Sequence, residues 1–352
     1  MALQRSELPA EVHALLRTGV AIPAHPLALD GEGRFDERRQ RALSRYYLDA
    51  GVGGLAVGVH TTQFAIRDVG LYEPVLRIAA EEMDAAGRPL VRIAGLAGGT
   101  EQAVSEGRTA VALGYHAGLL SLAALKGRSE DDLIEHCAAV ANEIPLVGFY
   151  LQAAVGGLEL HASFWQRFCG IENVVAIKIA PFNRYRTVEV VRGLVAARAE
   201  DRITLYTGND DHIVLDLLTP FAMRRDGADV VVRIRGGLLG HWSVWVRNAV
   251  KLLERIHAAV ETDNIDANLL QLDSQVTDCN AAFFDARNDF YGCIAGCHEV
   301  LRRQGLLETI RCLDPEEGLG PGQIEEIDRV YAAYPHLNDD DFVRQNLAGW
   351  LI

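Results

Sequence analysis

Lys178 stands in the middle of Asn173–Pro181, Asn-Val-Val-Ala-Ile-Lys-Ile-Ala-Pro, a run of β-branched and small apolar residues between turn formers. That pattern predicts a strand buried on both faces. An ammonium inside such a strand is costly unless it is paired or neutralised. Burial lowers a lysine pKa and releases the free amine that carbonyl chemistry requires. An unperturbed lysine, with a pKa of about 10.4, is nucleophilic in fewer than roughly one molecule in a thousand at neutral pH. The chain holds only three lysines, Lys126, Lys178 and Lys251, so one of few is spent where solubility gains nothing. The plainer alternative is a snorkelling or ion-paired lysine at a strand end.

Other polar residues fall just after apolar, strand-like runs: His25, His60-Thr61-Thr62, Tyr150, Asn209 with Asp210, and His241. A buried lysine near a tyrosine is the minimum for imine chemistry. The amine attacks a ketone, and the phenol relays protons as water leaves and a C–C bond is made or broken. Thr61 and Thr62 can offer N–H and hydroxyl donors to a carboxylate. Each residue also has a plain reading. Tyr150 can be a core tyrosine, and the threonines can cap the next helix. His60 and His241 read more simply as packing residues, Asp211 as a helix N-terminal acid, and Arg233 and Arg235 as part of a solvated insertion. No HExxH, clustered metal ligands or G-x-S-x-G elbow accompanies the set.

Positioning these groups falls to a regular alternation. Strand-like runs at Gly19–His25, Gly54–Val59, Leu90–Gly95, Ala117–Ala123, Pro145–Leu151, Asn173–Pro181 and Ile203–Thr207 are each followed by a segment of helical spacing. An eighth strand has two candidates, Asp229–Arg235 and Gly237–Trp242; the second is preferred, with Arg224–Arg235 as an insertion. Eight strand–helix units in about 240 residues predict a (β/α)8 barrel, whose active site lies at the C-terminal strand ends. A doubly wound sheet is the structural alternative. A short helix, Glu11–Arg17, leads the chain. Helical spacing over Leu269–Arg303 and Pro321–Tyr334 predicts an all-helical appendage, dividing the chain into 1–257 and 258–352.

The net charge of −14 argues against nucleic acid or an anionic membrane as partner. Six cysteines contain no CxxC pair, and Cys293 and Cys297 read as neighbours on one helix rather than zinc ligands. No signal-like or membrane-spanning run is evident, so a reduced cytoplasm is the expected compartment.

At these residues the sequence resembles the dihydrodipicolinate synthase / N-acetylneuraminate lyase group of class I, Schiff-base-forming aldolases. Tyr150 and Lys178 match the family's tyrosine on strand five and lysine on strand six. Thr61-Thr62 matches its strand-two Thr-Thr pair, and Gly157 a glycine in the loop after the tyrosine. His25-Pro26-Leu27 is similar to its Thr-Pro-Phe, and Gly208–Asp211 to its Gly-x-Asp stretch. The likeness spans roughly residues 18–250 and, more loosely, the helical tail. It implies a TIM barrel with three C-terminal helices, a homo-oligomer (dimer or tetramer), and a pyruvate-like 2-oxo acid as imine partner. No metal or organic cofactor is implied. By the same carry-over Lys178 forms the imine and Tyr150 moves the proton. Thr61 and Thr62 hold the 2-oxo carboxylate. Beside that carry-over, Asn209 and Asp210 are expected to hold a sugar-acid or other hydroxylated partner, and His60 is a further candidate for binding substrate.

The departures bear on the second substrate. The family's Gly-Thr-Thr-Gly-Glu is here His60-Thr61-Thr62-Gln63-Phe64, and its Tyr-Asn-x-Pro is Tyr150-Leu151-Gln152-Ala153. The synthase's carboxylate-gripping arginine falls on Val155, and its inter-subunit tyrosine near Ala123–Ala124. Pro145 lies one residue too far from Tyr150, which points to a bulge; a shifted register would put Phe149 where the phenol belongs. The expectation is therefore a lyase or aldolase acting on a 2-oxo acid with an unknown carbonyl partner, and not a true dihydrodipicolinate synthase. An imine-dependent sugar-acid dehydratase and a non-catalytic metabolite-binding barrel are the alternatives.

Overall fold

The computed structural model describes residues 2–352. Its strands are β1 (Ala21–Pro23), β2 (Gly54–Val57), β3 (Val91–Leu96), β4 (Ala117–Leu120), β5 (Leu146–Leu151), β6 (Val174–Ala180), β7 (Thr204–Thr207), β8 (Pro220–Arg225) and β9 (Ala228–Leu239). Hydrogen bonding orders them β1-β9-β7-β6-β5-β4-β3-β2, every step parallel. A parallel bridge from Ala24 to Ala56 joins the two ends. The result is a (β/α)8 barrel with additional C-terminal helices, as expected, and not an open doubly wound sheet.

The eighth barrel strand differs from expectation. The two candidate segments are one strand, β9. Its last part pairs with β1 and β7 to close the barrel, while Ala228–Arg233 pairs antiparallel with β8. The presumed insertion is thus a hairpin that extends the barrel strand outward, and Gly240–Trp242 already lies beyond the strand. Gly236 and Gly237 permit the closure: a Cβ on Gly236 would lie 2.6 Å from the backbone nitrogen of Val20.

Alternation along the strands divides the core in two. One set of buried residues, among them Ile22, Ile93, Leu119, Val147 and Val175, fills the lumen together with Leu8, Val12 and Leu16. Those three come from the N-terminal segment, whose helix Ala10–Thr18 presents Val12 and Leu16 and closes the end of the barrel opposite the site. The other set packs the strands' outer faces against the surrounding helices.

Past β9 the helix Val246–Glu261 runs across residue 257, and the tail adds Ala267–Phe283, Cys293–Arg303, Gln323–Ala333 and Asp340–Trp350. The expected continuous helix over Leu269–Arg303 is broken at Phe284–Gly292, where Asp285, Asp289 and Phe290 have positive φ. The Asp285 carboxylate holds this turn, accepting from Asn288 Nδ2 at 2.6 Å and from the Gly292 N–H at 3.2 Å. Asn280 Nδ2 and Thr277 Oγ1 donate to the carbonyls of Asp210 and Asp211 at 2.6 and 2.9 Å, docking the tail on the strand-end loops. Among the described residues no helix is long and apolar enough to cross a membrane.

Candidate active site

Lys178 lies on β6 between β5 and β7, and its side chain points into the lumen. The strand forms because Val174–Ala180 is β-branched or small at every other position and is buried along its whole length. Lys178 is only 8% exposed. Its passage depends on Gly208, where a Cβ would come within 2.7 Å of the lysine Cε. The amine opens into a cavity of about 70 Å³ that is also lined by His60, Thr61, Phe149 and Asp210.

Burial lowers the Lys178 pKa to about 8, and the charge of Asp210 acts in the opposite direction. Burial likewise raises Asp210, to about 7, against the effects of the His241 N–H and the Lys178 ammonium. Asp210 Oδ1 accepts from the His241 N–H at 3.1 Å. Its Oδ2 lies 3.9 Å from where a Cβ of Gly240 would stand, at the cavity wall. His60 is held neutral, at about 4, by burial and by the lysine charge. The lumen thus contains an amine and a carboxyl that both titrate near neutrality, the condition for proton transfer at physiological pH.

The expected phenol lies elsewhere. Phe149 is the residue opposite Lys178 in the β5–β6 register, and Lys178 Nζ lies 4.4 Å from its ring centroid. Tyr150, one residue on, faces the other way. Its ring packs against Trp165, and its hydroxyl accepts from the Leu160 N–H at 3.2 Å. A register shift between Leu146 and Val147 accompanies this orientation. Tyr150, expected as the proton relay, is thus placed on the outer face of the barrel, because a one-residue change of register exchanges the two faces of a strand.

Two of the expected substrate-binding residues are also spent within the fold. Thr62 Oγ1 donates to the His25 carbonyl at 2.6 Å and accepts from the N–H groups of Gly58 and Val59. It latches the loop after β2, leaving its neighbour Thr61 at the cavity. Asn209 Oδ1 accepts from the Phe182 N–H at 3.0 Å, while its Nδ2 donates to Thr187 Oγ1 and Asp216 Oδ2. It fixes the turn after β6 instead of facing the lumen. His25 is fully buried, with Nε2 2.9 Å from Ser44 Oγ. His241 contributes its backbone N–H. Among the described residues no three His, Cys, Asp or Glu side chains converge as a metal-binding set.

The tail also lines the cavity, although sequence reasoning did not assign it to the site. Phe284, Phe290, Cys293, Ile294 and Cys297 all line it. Cys293 and Cys297 do sit four apart on one helix, as expected. The spacing identified that helix, but nothing in it said that the helix would fold back over the strand ends.

Residues 18–221 match the model of the dihydrodipicolinate synthetase family. The chain is similar to the 4-hydroxy-tetrahydrodipicolinate synthase of Halorhodospira halophila, at 27% identity over 54% of this chain and 62% of that protein's length. It is 31% identical to the enzyme of the same name from Sorangium cellulosum over 61% of this chain and 67% of that one. In fold it resembles the chloride-inhibited dihydrodipicolinate synthase of Acinetobacter baumannii complexed with pyruvate (TM-score 0.72, 18% identity, covering 90% of this chain and 98% of the other). It is also similar in fold to the N-acetylneuraminate lyase of Fusobacterium nucleatum (TM-score 0.70, 15% identity, covering 90% of this chain and 99% of the other).

Proposed function

The chain belongs to the dihydrodipicolinate synthetase family, and we propose that it is a class I aldolase or lyase in which Lys178 forms a Schiff base with a short, pyruvate-like 2-oxo acid. The observation that carries this reading is that the Lys178 amine and the Asp210 carboxyl line one small lumenal cavity and feel each other's charge. A structural barrel gains nothing from burying a lysine there.

In this reading the neutral amine of Lys178 adds to the ketone. Asp210, protonated, assists loss of water from the carbinolamine to give the imine. The Asp210 carboxylate then takes a proton from the carbon next to the imine, producing an enamine that attacks the carbonyl of the second substrate. The same carboxyl returns that proton to the new alkoxide, and water releases the product and the free lysine. Each event in the reverse direction cleaves the bond. Asp210 therefore does the work assigned to a phenol in the sequence-based expectation, and Phe149 leaves no competing proton carrier on β5. Thr61 is the donor available to the 2-oxo carboxylate, and the imine route requires no metal or organic cofactor.

True dihydrodipicolinate synthase activity is not part of the proposal. Val155 lines the cavity at the position of the synthase's arginine, and an apolar residue there cannot grip a carboxylate. Incubation with pyruvate and borohydride, followed by mass spectrometry, tests the reading. The expected result is a reduced adduct on Lys178. An unmodified lysine across pyruvate, 2-oxobutyrate and 2-oxoglutarate overturns it.

A second reading, a non-catalytic metabolite-binding barrel, is favoured by one observation: the phenol is absent from the lumen. It expects ligand binding to survive Lys178→Ala, whereas the enzyme reading expects both adduct and turnover to vanish.

A further inference from the structure

Beside the lysine cavity lies a second cleft of about 120 Å³, and the two share Phe182, Asp210, Phe284 and Phe290 as walls. Resting on the Schiff-base reading, we propose that the carbonyl partner is uncharged and carries an apolar group, aromatic or short aliphatic, which lodges between Phe182, Phe284 and Phe290.

The aromatic wall is a built feature. Phe182 and Phe290 meet edge to face with centroids 5.5 Å apart. Both hold positive φ, +50° and +65°, a backbone conformation that is costly for a bulky residue and persists only where its surroundings enforce it. The enforcement is visible on both sides. Asn209 Oδ1 pins the Phe182 N–H, and the Asp285 carbonyl accepts from the Phe290 N–H at 3.1 Å. Two rings on strained backbone, brought together from the turn after β6 and from the tail, form a contact surface for something flat or greasy.

Charge and hydrogen bonding point the same way. Asp210 and Asp211 border the second cleft, and Lys178 is the one cation bordering either cavity among the described residues. A carboxylate- or phosphate-bearing partner in the second cleft would meet the like charge of Asp210 and Asp211 with no cation in the cleft's own lining. A polyhydroxylated partner would find few free donors in the second cleft: Thr277 Oγ1 and Asn280 Nδ2 are already donating to backbone carbonyls, and Asn280 Oδ1 is the buried side-chain acceptor left without a partner. In size, an apolar cavity of about 150 Å³ accommodates benzene, so a cleft of this scale suits one ring or a short chain. Lys178 lines the first cavity and not the second, which assigns the short 2-oxo acid to the first and the apolar group to the partner.

The test compares retro-aldol cleavage of two adducts, pyruvate with benzaldehyde and pyruvate with glyceraldehyde, by coupled pyruvate detection. The expected kcat/KM ratio favours the benzaldehyde adduct by about 100-fold, as burial of a ring allows. Equal rates, or preference for the glyceraldehyde adduct, overturn the proposal. Borohydride trapping with 2-oxooctanoate should modify Lys178 far less than pyruvate does. Equal trapping would move the apolar group to the 2-oxo acid and overturn the assignment. Phe182→Gly removes a ring at a backbone angle glycine adopts freely, and Phe290→Ala removes the other. Either should lower cleavage of the benzaldehyde adduct about tenfold relative to the glyceraldehyde adduct. If both variants keep the full benzaldehyde preference, the inference fails. Loss of trapping in the unmodified protein would instead defeat the Schiff-base reading itself, so the two failures are distinct.

Discussion

Phe149 and Lys178 stand directly opposite one another on neighbouring parallel strands, with the lysine nitrogen 4.4 Å from the centre of the ring. An aromatic face stabilises a cation, whereas burial expels one. Burial dominates here, since the lysine is lowered to about 8 in spite of Asp210's charge. What the ring cannot do is exchange a proton, and that shifts the acid–base burden across the lumen.

Lys178→Met should abolish pyruvate trapping and reduce turnover at least about 1000-fold. It should also stabilise the protein at pH 6, where the wild-type fold carries a buried ammonium. Because the native pKa, about 8, lies below the ordinary lysine value of 10.5, wild-type stability rises with pH between those values. The advantage of the variant, about 1–3 kcal/mol at pH 6, therefore shrinks towards pH 10. Thermal melts of both proteins at the two pH values check the sign; a constant difference would count against the lowered pKa.

Asp210→Asn should cut kcat by about 100- to 1000-fold, the usual share of a general acid–base group, with little change in KM. In the wild type the amine and carboxyl titrate as a pair, so the pH profile of kcat/KM should be bell-shaped near neutrality. The variant should lose one limb. Retention of the full bell would assign the proton to another group.

Tyr150→Phe should leave turnover within about threefold of wild type while costing about 1 kcal/mol of stability, since the Leu160 N–H loses its acceptor. Steady-state kinetics and a denaturant melt separate the two effects. A collapse in kcat with unchanged stability would return the tyrosine to the lumen.

The threonine pair should divide similarly. Thr62→Val strands two backbone N–H groups and should destabilise by about 2–3 kcal/mol. Thr61→Val should raise KM for pyruvate roughly tenfold at nearly constant stability, in line with loss of a hydrogen bond to a charged carboxylate. Measuring melting and KM on both variants shows whether adjacent residues really split latch from contact.

Much of this architecture was legible in the chain. Strand–helix alternation gave the barrel, and a lysine in an otherwise apolar strand marked the lumen, because both signals are local. Facing was not legible: whether Phe149 or Tyr150 looks inward depends on a shift at Leu146–Val147, and the flanking Pro145 hinted at it without deciding it. The roles of Thr62 and Asn209 were hidden for a related reason. A polar side chain at a strand end reads the same whether its partner is a ligand or a carbonyl on the next loop. The split of the eighth strand into two candidates reflected one long strand serving two partners, which a period-two pattern does not separate.

The tail's position over the strand ends has a consequence for inheritance. Lys178 and Asp210, the proposed bond-making groups, reside on β6 and just after β7, whereas residues 284–297 contribute part of the cavity wall from the tail. Drift or exchange in that late stretch can redirect what the catalyst accepts while its chemistry stays intact, so two chains with matching barrels and different tails should be expected to work on different molecules.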